Sequence, residues 1–211
     1  MTEHAGRLTV DAVDVESLAE AMSDGSYDNR WYFHTGTGDV RMSGDWDSGF
    51  EDDELADQGW VDIPPVGSRV GFEDMEIFAD AVGSLRIRDL LQRSLEGKGA
   101  FRRFRDTLRE FPDVRAHWHT WVDHREQARA VRWLLDEGHV DDHDADAAMA
   151  AHRADAQAAL DEVRTMGGLV CDVAAVPANW AEIVGRLDAG EAITLTRDGR
   201  PFASIATYDR G

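Results

Sequence analysis

The apolar positions in the first part of the chain predict one opening helix followed by short strands. An imperfect apolar face over residues 8–22 predicts the helix. Aromatic and branched residues at 31–34 and 40–42 flank a glycine-rich turn, which predicts a β-hairpin because glycine readily supplies the positive φ of a tight turn. The acidic stretch 44–58 is predicted as a loop, and residues 60–63 as a third strand that ends at two prolines.

From residue 71 onward the apolar positions recur every three or four residues, which predicts helices. The apolar stripes of four such helices run over residues 72–82, 85–95, 101–111 and 114–135. Pro112 is expected to end the third of them. An alanine-rich, acidic helix over 141–164 follows as a connection, with Asp144 as its predicted N-cap. We interpret Gly167 and Gly168 after it as a hinge.

The last part of the chain predicts a strand, a helix and a hairpin. Residues 169–173 form the candidate strand. Pro177 is expected in the first turn of the helix, because a proline there loses no hydrogen bond. Two strands over 192–196 and 201–206 flank residues 197–200, whose Asp-Gly pair is a strong signal for a two-residue hairpin turn.

These elements together predict an α+β fold. A small antiparallel N-terminal sheet packs with several helices, a connecting helix follows, and a strand-helix-hairpin module completes the sequence. The domain boundaries that this organisation suggests are 1–140 for the N-terminal α+β domain, 141–168 for the connecting helix with its Gly-Gly hinge, and 169–211 for the module.

The module resembles the Phd/YefM (prevent-host-death) family of antitoxins. The similarity lies in residues 178–184, 189–191 and 195–205, and its most diagnostic part is the Thr-Arg-x-Gly-Arg-Pro-x-Ala hairpin that begins at Thr196. Members of the family form homodimers through this α+β module, bind the operator DNA of their own toxin-antitoxin genes, and hold a toxin with a C-terminal tail. The resemblance therefore implies a homodimer, with operator DNA and a toxin-like protein as further partners.

The sequence departs from the family pattern in two places. It ends at Gly211, three residues after Tyr208, so we expect the usual toxin-binding tail to be missing. Pro177 stands where the family often has an arginine that can meet phosphate. The basic residues that the resemblance leaves as candidate DNA contacts are Arg186, Arg197 and Arg200. The alternative for each of them is a solvated side chain on an acidic module.

A second resemblance covers roughly residues 10–138, which are similar to a bacterial uncharacterised protein family numbered 0158. Its specific motif is Gly-Lys-Gly-Ala-Phe-Arg-Arg-Phe at residues 97–104, with further similarity at residues 32–40, 63–65, 75–78 and 133–134. The resemblance identifies a domain and implies no activity.

The same motif suggests an anion site by its chemistry. A Gly-x-Gly turn that opens a helix presents backbone N–H groups at the positive end of the helix dipole. The residues of this candidate site are Gly97, Lys98, Gly99, Arg102 and Arg103. A phosphate- or nucleotide-binding domain or enzyme built on this turn is the alternative to an antitoxin-like function. The other interpretation is structural: the glycines make a tight turn between helices and the phenylalanines fill the core.

Charge is distributed unevenly along this chain of net charge −20. Residues 1–84 carry 4 basic and 20 acidic groups, whereas residues 85–115 carry 9 basic and 5 acidic groups. An acidic protein is repelled by nucleic acid at long range, so DNA contact would need a local patch or a dimer that concentrates a few arginines. Cys171 is the sole cysteine, which excludes an intramolecular disulfide and suits a reducing compartment.

Metal chemistry and catalysis find little support in the residue pattern. His117, His119, Asp123 and His124 supply only two ligands on any one helical face, too few to close a metal site. The serines lie in no Ser-His-Asp motif, and Cys171 in an apolar strand is expected to be packed. We expect no cofactor and favour a binding protein over an enzyme. The polar N-terminus and the lack of a long apolar run predict a cytoplasmic protein with no membrane partner.

Overall fold

The computed structural model describes residues 7–26, 29–43, 52–166, 168–189, 191–198 and 200–206. Its fold is mixed α+β, as predicted, with helices combined with two small sheets of three strands each in the described residues. None of the helices in these described ranges is long and apolar enough to cross a membrane.

The first sheet is antiparallel and consists of β1 (Trp31–His34), β2 (Val40–Met42) and β3 (Trp60–Asp62), in the order β2-β1-β3. Phe33 of β1 pairs with Val40 on one side and with Val61 on the other. The turn between β1 and β2 is closed by the imidazole of His34, whose Nδ1 accepts hydrogen bonds from the backbone N–H groups of Gly36 and Thr37. The predicted strands and turn are confirmed.

The first helix, α1 (Val15–Ser23), begins later than predicted. Residues Val10–Ala12 form a separate 3-10 turn, and Asp14 caps α1 by accepting a hydrogen bond from the backbone N–H of Ser17 at 3.0 Å. The chain before this turn extends to meet a distant segment, because the N–H of Leu8 donates to the carbonyl of His139. The N-cap preference of Asp14 therefore sets the start of α1, and not the apolar pattern that begins at residue 8.

The predicted acidic loop over 44–58 is wrong in its second half. Residues 44–51 lie outside the described part of the chain, but Asp52–Asp57 forms a short helix, α2. Leu55 is buried with Tyr32 and Trp60 in a small cluster beside the first sheet. Burial of one leucine against two aromatic rings therefore orders a segment whose composition is typical of a loop.

Five helices follow, close to the predicted positions. They are α3 (Ser68–Ala81), α4 (Leu85–Leu95), α5 (Ala100–Arg109), α6 (Pro112–Asp136) and α7 (Asp142–Thr165). Pro112 is the first residue of α6, a position that proline favours. The predicted N-cap role of Asp144 is wrong, because this residue lies inside α7 and its Oδ2 accepts a hydrogen bond from the backbone N–H of Val10 at 2.6 Å.

The chain divides into two compact units that are each built from segments distant in sequence. Unit 1 comprises residues 1–71 and 122–156, and unit 2 comprises residues 72–121 and 157–211, as far as they are described. The predicted domains run in chain order instead, and whether 169–211 folds independently stays a prediction.

Each unit has its own buried core. The largest fully buried side chains of unit 1 are Leu18, Phe33, Val131, Leu134 and Met149. Unit 2 contains an aromatic group in which the ring of Trp118 lies 5.1 Å from Phe78 and 4.9 Å from Phe104, both edge to face. Trp121 is almost fully buried beside them, so these aromatic rings form part of the core of unit 2.

The C-terminal part of unit 2 contains β4 (Leu169–Asp172), a 3-10 turn (Val173–Ala175), α8 (Trp180–Asp188), β5 (Ile193–Arg197) and β6 (Arg200–Ile205). β5 lies in the middle, parallel to β4 and antiparallel to β6. Cys171, Ile183 and Ile193 form the buried core between α8 and the sheet, so the cysteine is packed as expected.

Two details of this part bear on the predictions. Arg197 pairs with Arg200 across the hairpin, and Asp198 has a positive φ of 54°, in accord with the predicted two-residue turn; Gly199 lies outside the described residues. The placement of Pro177 in the first helical turn is wrong: α8 begins at Trp180, after a turn, with Asn179 at its N-cap position.

Candidate functional site

The candidate DNA contact on helix α8, Arg186, is held by two carboxylates. Its Nη1 lies 2.8 Å from Glu191 and its Nε lies 3.5 Å from Glu182. The hydrogen bond and the charge of Glu191, followed by Glu182, raise the pKa of Arg186 above its ordinary value. A phosphate at this position would have to displace these carboxylates.

The two candidates on the hairpin, Arg197 and Arg200, lie together. They face each other as a pair across the turn and line one surface hollow of about 450 Å³ with Asp198 and Phe202. The guanidinium of Arg197 lies 4.0 Å from the centre of the Phe202 ring, close enough for a cation–π interaction. The hollow therefore offers two cations and an aromatic ring at the end of a hairpin, with one carboxylate between them.

Large apolar side chains are exposed mainly on this C-terminal part. Among the described residues they are Ile77, Phe101, Val170, Trp180 and Phe202, and the last three belong to β4, α8 and β6. Val170 pairs with Thr194 on the sheet face that points away from α8, because the neighbouring Cys171 points toward that helix. Trp180, 56% exposed, begins α8. Three of the large apolar side chains that are exposed in the described residues thus belong to this module.

In the candidate anion site, the turn at residues 96–99 surrounds the side chain of Arg103. The φ angles of Gly97 and Gly99 are 70° and 81°, so both glycines are required by the backbone. Arg103 donates from Nε to the carbonyl of Ser94 at 3.1 Å, and its terminal nitrogens donate to the carbonyls of Glu96 and Lys98. Ser94 and Glu96 lie at the C-terminal end of α4, where carbonyls have no partner within the helix, and Lys98 lies in the turn before α5. Arg103 is thus committed to capping.

The remaining residues of that candidate site are more exposed. Arg102 is 84% exposed and lies 3.6 Å from Asp106 on the same helix. Lys98 is exposed in the turn and contributes its carbonyl to Arg103. The site that the sequence suggested therefore has one side chain turned inward and one paired on the helix surface.

The histidines that the sequence analysis considered as metal ligands contact different residues. His117 lies 3.3 Å from Glu162, whereas Nδ1 of His124 lies 3.3 Å from Nδ1 of His152 on α7. Burial, and then the charge of His124, lower the pKa of His152. His119 is exposed. In the part of the chain that the structure describes, no three histidine, cysteine or acidic side chains lie together in the manner of a metal site.

Sequence reasoning did not single out Arg88 and Arg164, which line a cavity of about 380 Å³ within unit 2 together with Phe202. The sequence offers one weak signal for them, the excess of basic residues in 85–115 that includes Arg88. Nothing local to residues 88, 164 and 202 indicates that they share a cavity.

In comparisons with known proteins, no family model, no curated protein and no solved structure matches this chain.

Proposed function

We propose that this chain is an antitoxin-like regulatory and binding protein that forms a homodimer through its C-terminal β4-α8-β5-β6 module and acts in the cytoplasm. The observation that carries the proposal is the exposure of Val170 and Trp180, at 46% and 56%, on a module with a small core. Tryptophan is enriched among the residues that dominate protein–protein interfaces, so an exposed Trp180 supports a surface that another protein covers.

Two further features support the proposal. The order of strand, helix and hairpin is the one that the Phd/YefM resemblance implies. The chain is also strongly acidic, so a site for operator DNA needs arginines brought together locally. Arg197 and Arg200 lie side by side at the hairpin end, and a dimer doubles their number. A toxin-like protein is the other partner that the resemblance implies.

The oligomeric state tests the homodimer. Sedimentation equilibrium at micromolar concentration should give twice the chain mass for the wild type. Trp180→Glu and Val170→Glu should each weaken self-association about thirtyfold or more, since a buried hot-spot side chain contributes ~2 kcal/mol or more. Ile77→Glu is the matched control, because Ile77 is similarly exposed but lies on α3. A monomeric wild type, or equal weakening by Ile77→Glu, would sink the proposed homodimer.

Gel retardation of DNA from upstream of the chain's own gene tests the operator role. Arg197→Ala and Arg200→Ala should each weaken binding and lower the slope of log affinity against log salt by about 0.9 for each phosphate contact that is lost. Arg105→Ala, an exposed arginine on α5, should leave binding unchanged. If the wild type fails to retard this DNA, or if all three variants bind alike, these two arginines are not DNA contacts.

A further inference from the structure

One cavity of unit 2 has the composition of a small-molecule site. Its volume of about 380 Å³ lies within the range of ligand pockets. Its lining comes from the end of α3, from α4 and α7, and from the last two strands. The polar and aromatic lining residues are Asp80, Arg88, Arg164, Thr194, Phe202 and Ser204.

Arg88 is held in place by one of its three guanidinium nitrogens. Its Nε donates to the carbonyl of Val82 at 2.8 Å, directly after the end of α3, and the side chain is half-buried. Within the described residues the two terminal nitrogens of Arg88 have no partner. A planar guanidinium that is fixed at Nε directs its remaining N–H groups as a pair, the arrangement that binds phosphate or carboxylate in a bidentate way.

Arg164 is anchored in a similar way at the end of α7. Its Nη1 lies 2.5 Å from Asp161, and its side chain is 40% exposed. The backbone carbonyl of Arg164 accepts a hydrogen bond from the hydroxyl of Thr194 at 3.0 Å, which ties this residue to β5. The Nε and Nη2 groups have no partner in the described part of the chain. The cavity therefore contains two anchored guanidinium groups in a protein of net charge −20.

Asp80 restricts the kind of anion that fits. Its Oδ1 accepts a hydrogen bond from the amide of Gln92 at 2.7 Å, and Oδ2 is left to accept another. A carboxylate on the cavity wall repels a compact polyanion but favours a ligand that carries an N–H or O–H donor away from its negative end. A ligand with both an anionic group and a hydrogen-bond donor therefore matches a cavity that contains two arginines and one aspartate.

Phe202 supplies an apolar wall. Its ring is 55% exposed and lines the cavity, while the guanidinium of Arg197 lies beside it at 4.0 Å. Exposed aromatic rings next to arginines stack with nucleobases, a contact worth about 1–3 kcal/mol per base. The lining therefore combines guanidinium groups that can bind a phosphate, an aromatic ring that can stack on a base, and a carboxylate that can accept a hydrogen bond.

We infer that this cavity binds a nucleoside monophosphate, with the phosphate on Arg88 and Arg164, the base against Phe202 and a donor group of the nucleoside on Asp80. The inference does not depend on the proposed function, because neither Val170 nor Trp180 lines the cavity. It concerns a different place from the turn at residues 97–103, whose inward arginine is occupied by backbone carbonyls.

Calorimetric titration of the full chain tests the ligand class. The probes are the four ribonucleoside monophosphates, the corresponding nucleosides and inorganic phosphate. At least one nucleotide should bind with one site per chain, about tenfold or more tighter than its nucleoside and than inorganic phosphate, since each half of the ligand contributes ~1.4 kcal/mol or more. Absence of binding by all four nucleotides at millimolar concentration overturns the inference. Equal affinity for inorganic phosphate overturns it as well.

Variants then test the assigned residues. Arg88→Lys keeps the charge and a donor for Val82 but loses the planar fork, so it should bind the nucleotide about tenfold more weakly. Arg164→Gln should have a similar effect. Arg86→Lys, an exposed arginine on the same helix that does not line the cavity, is the matched control. Thermal unfolding of each variant verifies that it is folded, and unchanged affinity in Arg88→Lys and Arg164→Gln contradicts the site.

Two more variants separate this inference from the others. Asp80→Asn removes the carboxylate that repels a compact anion, so inorganic phosphate should bind more tightly relative to the nucleotide. The difference between the two affinities should therefore become smaller. A larger difference contradicts the role of Asp80. Trp180→Glu should leave nucleotide affinity unchanged whatever it does to self-association. Loss of nucleotide binding in Trp180→Glu would mean that the site depends on the dimer, contrary to the inference.

Discussion

Two glycines of unit 2 lie where the backbone of another segment leaves no room for a side chain. A Cβ added to Gly83 would lie 2.0 Å from the carbonyl oxygen of Arg164, and one added to Gly168 would lie 2.0 Å from that of Ala192. Real carbon and oxygen atoms that are not bonded stay well over 3 Å apart. Close backbone packing, and not only conformational freedom, therefore requires glycine at both positions.

Gly168→Ala should lower the free energy of unfolding by about 3 kcal/mol, at the upper end of the usual cost of overpacking. Gly185→Ala is the matched control. Gly185 is exposed on α8 with nothing within 4 Å of an added Cβ, so alanine there should stabilise the protein by about 0.5–1 kcal/mol. Urea unfolding measures both. Equal effects of the two substitutions would contradict the packing at Gly168 and would favour a hinge there.

His152 gives one residue-scale dependence on pH. Burial, and then the charge of His124, lower its pKa in the folded protein below the ordinary value of 6.5. Because the unfolded chain binds the proton more readily, the contribution of neutral His152 is present above pH 6.5 and is lost as the pH falls through the folded-state pKa. The unfolding free energy of the wild type should thus fall more steeply between pH 7.5 and 5.5 than that of His152→Gln.

Urea unfolding at the two pH values measures this difference in slope. His119→Gln is the control, because His119 is exposed and lies on α6, the helix that also carries His124. His139, whose pKa burial also lowers, is present in all three proteins and cancels in the comparison. Parallel pH profiles for the wild type and His152→Gln would contradict the lowered pKa of His152 in the folded protein.

At the scale of elements, the connection from α4 to α5 depends on Arg103. Its guanidinium donates to the carbonyls of Ser94, Glu96 and Lys98, and so joins the end of α4 to the turn before α5. Arg103→Ala should lower the free energy of unfolding by about 2 kcal/mol, the scale of hydrogen bonds to a charged group. Arg105→Ala, exposed on the same helix, should change it by less than about 0.5 kcal/mol. Thermal or urea unfolding that gives equal values would contradict the capping role.

The helices could be predicted from the sequence because their apolar residues recur with the helical period and end at proline or glycine. The same reasoning missed α2, since one buried leucine against Tyr32 and Trp60 leaves no periodic trace. It also placed Pro177 inside the first turn of α8, which begins three residues later, and Asp144 at the N-cap of α7, whereas the carboxylate of Asp144 accepts a hydrogen bond from the backbone N–H of Val10. The errors at α2 and at Asp144 share a cause: each depends on a contact with a residue far along the chain, Tyr32 for Leu55 and Val10 for Asp144.

The candidate sites show the same limit at a finer level. The sequence could identify Arg197 and Arg200 as neighbours, because a two-residue turn brings the flanking positions together. It could not show that Arg103 turns back onto carbonyls five to nine residues earlier. The cavity of Arg88, Arg164 and Phe202 was beyond prediction, since its residues meet only once the helices and the second sheet have packed.

For the molecule as a whole, the dominant physical feature is its charge. Residues 1–84 carry 20 acidic and 4 basic groups, and the chain has a net charge of −20. A compact state holds these carboxylates closer together than an unfolded chain does, so their mutual repulsion opposes folding. Dissolved salt screens such repulsion over a Debye length of about 10 Å at 0.1 M.

The free energy of unfolding should therefore rise as sodium chloride is increased from 0.02 to 0.5 M, within the range where screening changes most. Asp11→Asn and Glu20→Gln each remove one exposed carboxylate from the acidic region. Each should stabilise the protein at low salt by up to about 0.5 kcal/mol, and the gain should disappear at high salt because the charge it removes is then already screened. Urea unfolding of the wild type and both variants at the two salt concentrations measures this. Stability that falls with salt, or a gain that persists at 0.5 M, would mean that attractive ion pairs outweigh the repulsion of the excess carboxylates.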